Sequence, residues 1–308
     1  MKLNFITSKS NNLFFFVSEL AKEKRKSKLN ITERKFLRVF SKIIFRSSNG
    51  LPLDLVFLTN PENRKWIEFE KKMSTDEIKE IKSVLKFFSN KFEKDWPIMK
   101  KELNKVQKYF NAHKNIFKKI ITPIFELCDL KKIETESIFI HQIFNLKDTG
   151  NLSAWASWTP KRQDIVLEWN YKSVKQINKF DICVVAHEFF HLLIKKNRRL
   201  IDLIKTKADA NRELLLKIGY GVPNPKHILE ELILSSFIPE GYLAKKYADL
   251  AIKKMKPNFK KTNNLISFSE NRKICAYLMK DIAFQYINEK RPIDENYINN
   301  LIEKIKQH

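Results

Sequence analysis

Apolar residues recur at three- and four-residue spacing through most of the first 130 positions, the period of helices with one buried stripe. The segments "NLFFFVSELAKEKRK" (12–26) and "ITERKFLRVFSKIIF" (31–45) each carry such a stripe. "STDE" (74–77) is a capping box: Ser74 accepts from the backbone of the third helical residue and Glu77 reaches back. The helix it opens is expected to end near Asp95, with Pro97 in the first turn of the next. "KKELNKVQKYF" (100–110) and "NIFKKIITPIFELCDL" (115–130) continue the helical pattern.

The pattern changes near Lys131. "ESIFIHQIFNL" (136–146) reads as a strand, and "SAWASWTP" followed by "RQDIVLEWN" reads as a hairpin about a Pro160-Lys161-Arg162 turn. Helix returns with "FDICVVAHEFFHLLIKKN" (180–197), for which Asp181 is the expected N-cap, with Lys195 and Lys196 in the last turn. A polar stretch and "IGYGVPNP" follow. Asn224 and Pro225 then mark the cap and first position of a helix running through "KHILEELILSSF". "EGYLAKKYADLAIKKM", "ENRKICAYLMKDIAFQYINEK" and "DENYINNLIEKIKQ" are expected to be helical as well. The fold class is therefore mainly α with a small antiparallel or mixed sheet, closed by a C-terminal helical bundle.

Composition refines this picture. The chain has 308 residues, 43% hydrophobic, with 24 Phe and only 5 Gly and 10 Pro, enough for a sizeable core and poor in helix breakers. The net charge is +24, with lysines spread along the whole chain, so non-specific polyanion binding at low salt is expected. Cys128, Cys183 and Cys275 are far apart and form no CxxC pair, which argues against a disulfide scaffold or a thiolate zinc site. The apolar run at the N-terminus is too short for a signal sequence, and no run reaches the length of a membrane span. The expected location is the cytoplasm.

Two histidines sit four apart inside the most apolar helix, in "VVAHEFFHLL" (184–193). At this spacing His187 and His191 project from one face, one turn apart, where both imidazoles can bind one metal ion. Glu188 points about 100° away and addresses a water rather than the metal. This is the H-E-x-x-H pattern: zinc acidifies the water, and Glu188 takes its proton and returns it to the leaving amine. A third ligand is needed. Glu231 in "HILEELILSSF" is the first choice, because Ser235 and Ser236 beyond it are small enough to let the two helices approach. Glu230 is the alternative and is expected nearer the rim, Asp209 and Glu240 stand further off, and His227 reads as a surface or capping residue.

The motif, the preceding hairpin and the downstream glutamate helix resemble the gluzincin branch of zinc metallopeptidases over roughly residues 131–249. The resemblance implies a zincin-like domain spanning 131–308 with its C-terminal helices, preceded by a helical region over 1–130. It implies Zn2+ held by His187, His191 and Glu231, with Glu188 as general base and a peptide or protein as substrate. The interval to the glutamate is longer than in the thermolysin-like and aminopeptidase-like members. A Gly-rich exopeptidase signature and a third histidine soon after the motif are both absent. In that fold an edge strand pairs with the substrate backbone, here "NLSAWASWTP" or "DIVLEW", with Trp155 and Trp158 as possible cleft walls. Tyr242, Tyr220 and His227 are the candidate oxyanion donors. The rival readings are a basic nucleic-acid-associated or regulatory protein, as in prophage-type regulators that carry such a domain, and a toxin-like effector.

Overall fold

The computed structural model describes residues 2–22, 29–45, 47–48, 51–52, 73–130, 137–146, 152–159, 162–219, 224–259 and 265–308. They form two compact units that interleave along the chain: Met1–Asn111 with Thr135–Ile177, and Ala112–Glu134 with Asn178–His308. The fold is mostly helical with a small mixed four-stranded sheet.

The first unit holds strand β1 (Lys2–Ile6), helices α1 (Lys9–Lys22) and α2 (Ile31–Ile44), the short strands β2 (Ser47–Ser48) and β3 (Leu51–Pro52), and helix α3 (Thr75–Ala112). Strands β4 (Ser137–Phe144), β5 (Ser153–Thr159) and β6 (Arg162–Trp169) and helix α5 (Tyr171–Lys175) complete it. The sheet order is β1-β4-β6-β5; β1 and β6 run parallel to β4, and β5 runs antiparallel to β6. The expected hairpin is present, with Thr159 opposite Arg162, although Pro160 and Lys161 of its turn lie outside the described residues. Of the two candidate edge strands, β5 is at the edge and β6 is internal.

Two expectations for the N-terminal region need correction. It is not wholly helical: "KLNFI" forms β1, where five residues suffice because β4 supplies the backbone partners. Nor does Pro97 start a new helix, since α3 runs unbroken through it. A proline inside a helix costs about 3 kcal/mol. The buried stripe Phe88, Phe92, Trp96, Met99, Leu103, Val106 and Phe110 continues on both sides, and its burial outweighs that cost. The Ser74–Glu77 capping box at the start of α3 is formed in both directions. Asn12 on α1 is buried and bonds β4 with both ends of its amide, accepting from the Phe144 N–H and donating to the Gln142 carbonyl.

The second unit is helical. It comprises α4 (Lys114–Leu127), α6 (Lys179–Ile194), α7 (Arg198–Ala210), α8 (Arg212–Ile218), α9 (Pro225–Phe237), α10 (Tyr242–Ala248), α11 (Leu265–Asn288) and α12 (Glu295–Lys306). Helices α7 and α8 occupy what reads as a polar stretch. Their buried stripe, Leu200, Ile204 and Ala208 in α7, is one residue wide and easily overlooked. Helix α10 is far shorter than "EGYLAKKYADLAIKKM" suggests. Asp249 adopts a left-handed conformation at φ 59°, and the Leu250 N–H closes on the Ala244 carbonyl. The three cysteines are free and buried, and among the described residues no helix is long and apolar enough to cross a membrane.

Candidate metal centre

Helix α6 is apolar almost all the way round and is buried accordingly. Phe189 packs against Phe117 and Phe125 of α4, and Phe190 against Phe237 of α9. The N-cap is Asn178 rather than Asp181. Asp181 is the third helical residue and completes a capping box, its carboxylate accepting from the Asn178 N–H. The helix ends at Ile194, so Lys195 is the C-cap and Lys196 lies beyond it. Helix α9 starts as expected, with the Asn224 side chain accepting from the His227 N–H and Pro225 in the first turn.

His187 and His191 are 3% and 7% exposed, and their rings meet edge to face. The Nδ1 atom of His187 lies 2.9 Å from the Ile238 carbonyl. A carbonyl only accepts, so Nδ1 carries a hydrogen, and Nε2 is the nitrogen turned toward His191 and Glu231. The Nδ1 atom of His191 lies 2.6 Å from Glu230 Oε1. Both outer nitrogens are thus occupied, and the two Nε2 atoms face each other at 3.2 Å.

Glu231 meets them from α9. Its Oε1 is 3.0 Å from His191 Nε2, and its Oε2 is 3.3 Å from His187 Nε2. These three residues form a group able to hold a metal ion. A tetrahedral zinc with bonds of about 2.0–2.2 Å needs donors roughly 3.3–3.6 Å apart. The two Nε2 atoms, 3.2 Å apart, meet that spacing to within a few tenths of an ångström, and Glu231 offers a separate oxygen to each ring. The outer partners, a carbonyl on one ring and a carboxylate on the other, are those that orient metal-binding histidines.

Burial pushes the His191 ring toward neutrality, but the Glu231 carboxylate, then Glu230 and Glu188, outweigh it and raise its pKa to about 10. Glu231 is the reciprocal case. Burial raises it, and the two histidines more than reverse this, holding it well below the usual carboxylate range. Glu230 is likewise lowered, burial being overcome mainly by His191.

Glu230 is not at the rim. It is 6% exposed and sits behind His191, because consecutive residues on α9 reach opposite nitrogens of the same ring. His227 is more than a cap: its half-exposed ring stacks near His191, with Nε2 3.8 Å from Glu231 Oε1. Glu188 is partly exposed and within electrostatic reach of His191 and Arg272. Asp209 is exposed on α7. Glu240 bonds Arg272, and Tyr242 packs edge-on to Phe284. Ser236 bonds the Tyr297 hydroxyl, so the small Ser235–Ser236 pair admits α12. Tyr220, and the side chain of Trp158, lie outside the described residues.

Sequence reasoning missed Arg272. Its signal was phase: Arg272, Ala276, Met279 and Ala283 fall at helical spacing, and the last three are fully buried. No family model, curated protein or solved structure matches this chain.

Proposed function

We propose that the chain is a zinc-dependent metallopeptidase with a zincin-like catalytic arrangement, acting on peptide or protein substrates. His187, His191 and Glu231 are the ligands and Glu188 is the general base. The observation that carries this reading is the convergence of the Glu231 carboxylate on two imidazole Nε2 atoms whose Nδ1 atoms are already engaged. Two imidazoles and a carboxylate, with no thiolate, form a donor set suited to zinc, and three protein ligands leave one position open. Zinc bound there supplies Lewis acidity and lowers the pKa of a water toward neutrality.

The remaining chemistry belongs to the side chains. Glu188 follows His187 on the helix and points off the ligand direction. Its carboxylate takes a proton from the attacking water and delivers it to the leaving amine nitrogen. Of the two described candidate donors, His227 and Tyr242, the half-exposed His227 ring beside His191 is the better placed for the developing oxyanion.

The test is metal content by mass spectrometry on untagged protein purified without chelator. About one zinc per chain is expected, lost in His191→Ala and strongly reduced in Glu231→Ala. Absence of zinc from the wild type, even after reconstitution, overturns the reading.

Polyanion binding is a second reading with an observation of its own. The exposed Lys100, Lys101, Lys105 and Lys108 line one concavity on α3 with Pro97 and Asn104. It requires that charge reversal at these four lysines lower the salt slope of DNA binding. An unchanged slope would leave only the diffuse charge of the chain.

A further inference from the structure

Four carboxylates, Glu188, Glu230, Glu231 and Glu240, gather around the candidate centre. Among the described residues, the cation bonded to any of them, apart from the histidines, is Arg272 of α11. Its NH2 lies 2.8 Å from Glu240 Oε1 and its NH1 3.5 Å from Glu231 Oε2. Glu240 is only 7% exposed and the Arg272 side chain 23%. Next to it on α11, the fully buried Asn271 donates its amide to the Ile218 carbonyl at 3.0 Å, which fixes the helix where the guanidinium leaves it.

We propose that Arg272 is a positioning residue: anchored on Glu240, its guanidinium holds the Glu231 carboxylate in line with the two Nε2 atoms and so sets the metal affinity of the site. The inference rests on the reading of His187, His191 and Glu231 as metal ligands. The geometry favours it in two ways. An arginine fork grips two carboxylates at once from a fixed plane, so an anchored guanidinium fixes the orientation of the second. The target is also the ligand most in need of fixing. Each histidine is oriented by its own Nδ1 partner, whereas among the described residues Glu231 has no such partner besides Arg272 and the distant His227. Partners behind metal ligands typically change affinity 10- to 100-fold.

A plain structural ion pair between Arg272 and Glu240 is the competing explanation, and a double variant separates the two. Removing one member of a buried pair strands the other charge, whereas replacing both by uncharged residues strands neither. The experiment measures Zn2+ affinity by chelator competition and the visible spectrum of the Co2+ form. It uses wild type, Arg272→Lys, Arg272→Gln and Arg272→Gln/Glu240→Gln, with folding checked by circular dichroism. Arg272→Gln is expected to bind zinc about 10- to 100-fold more weakly and to shift the cobalt bands. Arg272→Lys, which keeps the charge and loses the fork, should fall in between. The double variant should melt like the wild type yet keep the weakened affinity and shifted spectrum. Wild-type affinity and spectrum in the double variant would overturn the role of Arg272 and leave the metal site standing. Failure of the wild type to bind either ion would remove the metal reading and this proposal with it.

Discussion

Glu230 stands behind His191: its Oε1 is 2.6 Å from Nδ1, and the ring's other nitrogen, Nε2, lies 3.0 Å from Glu231 Oε1. Consecutive residues of α9 therefore reach the two nitrogens of one ring; on the proposed reading Glu231 is a ligand and Glu230 the carboxylate that orients another. The two glutamates should behave differently when removed. Glu230→Ala is expected to weaken zinc binding about 10- to 100-fold, and Glu231→Ala to weaken it considerably more. Chelator competition on the two variants checks the order. The reverse order would exchange the roles assigned to them, and equal losses would remove the distinction.

Metal uptake should release protons. With its pKa raised to about 10, His191 is protonated in the metal-free protein at neutral pH, yet a ligand imidazole must be neutral. Calorimetry in buffers of different ionisation enthalpy should detect about one proton per zinc near pH 7.5. The apparent affinity should rise with pH until His191 loses its proton unaided. The metal-free protein should show the opposite trend in stability. A histidine whose folded pKa exceeds its unfolded value contributes stability below about pH 6.5, and this is lost as pH rises toward 10. Melting in chelator should therefore fall across that range in the wild type and much less in His191→Ala.

The parts of this arrangement written in local chemistry were legible in the sequence. The four-residue spacing of His187 and His191 fixes their common face, β4 follows from its β-branched and aromatic residues, and the β5–β6 hairpin follows from alternation. Asn224 and Pro225 mark the start of α9, whereas the small Ser235–Ser236 pair, expected to face the motif helix, meets α12 through Tyr297. What was not legible depends on which distant elements meet. Asp181 looks like a cap, but Asn178 lies one turn earlier and uses it as the third residue of a capping box. Pro97 looks like a boundary, but a buried stripe on each side carries the helix through it. Arg272 is one basic residue among 59 Lys and Arg in this chain, and only its approach to Glu231 and Glu240 distinguishes it.

Glu188→Gln should separate metal binding from chemistry. On the proposed reading Glu188 is the general base and not a ligand, and the substitution preserves its shape, so zinc content and the cobalt spectrum should be unchanged. Loss of the general base should lower hydrolysis of a fluorogenic peptide or casein substrate by about 100- to 10,000-fold. Activity that survives in this variant would have to come from another base or from a contaminating protease. In that case the peptidase reading would lose its general base while the metal site remained.

Asp181 offers a test of how the motif helix is held. It accepts the Asn178 N–H at 2.8 Å and is 8% exposed. Burial raises its pKa from 3.8 to about 6, against the pull of its backbone hydrogen bonds. Between about pH 4 and 6 the folded state therefore holds more of this proton than the unfolded chain does, and stability falls as pH rises through that window. Keeping the carboxylate ionised in the folded state costs at most about 3 kcal/mol at neutral pH. A negative charge in the first turn of a helix returns only about 0.3–1 kcal/mol, so burial is the larger effect. Asparagine keeps the acceptor for Asn178 and removes the buried charge. Asp181→Asn should thus match the wild type near pH 4 and exceed it by about 1–2 kcal/mol at pH 7. Urea unfolding of the metal-free proteins at both pH values reads this difference. If the variant is less stable than the wild type at pH 7, the cap and the helix dipole outweigh burial, and the carboxylate holds α6 in place by its charge.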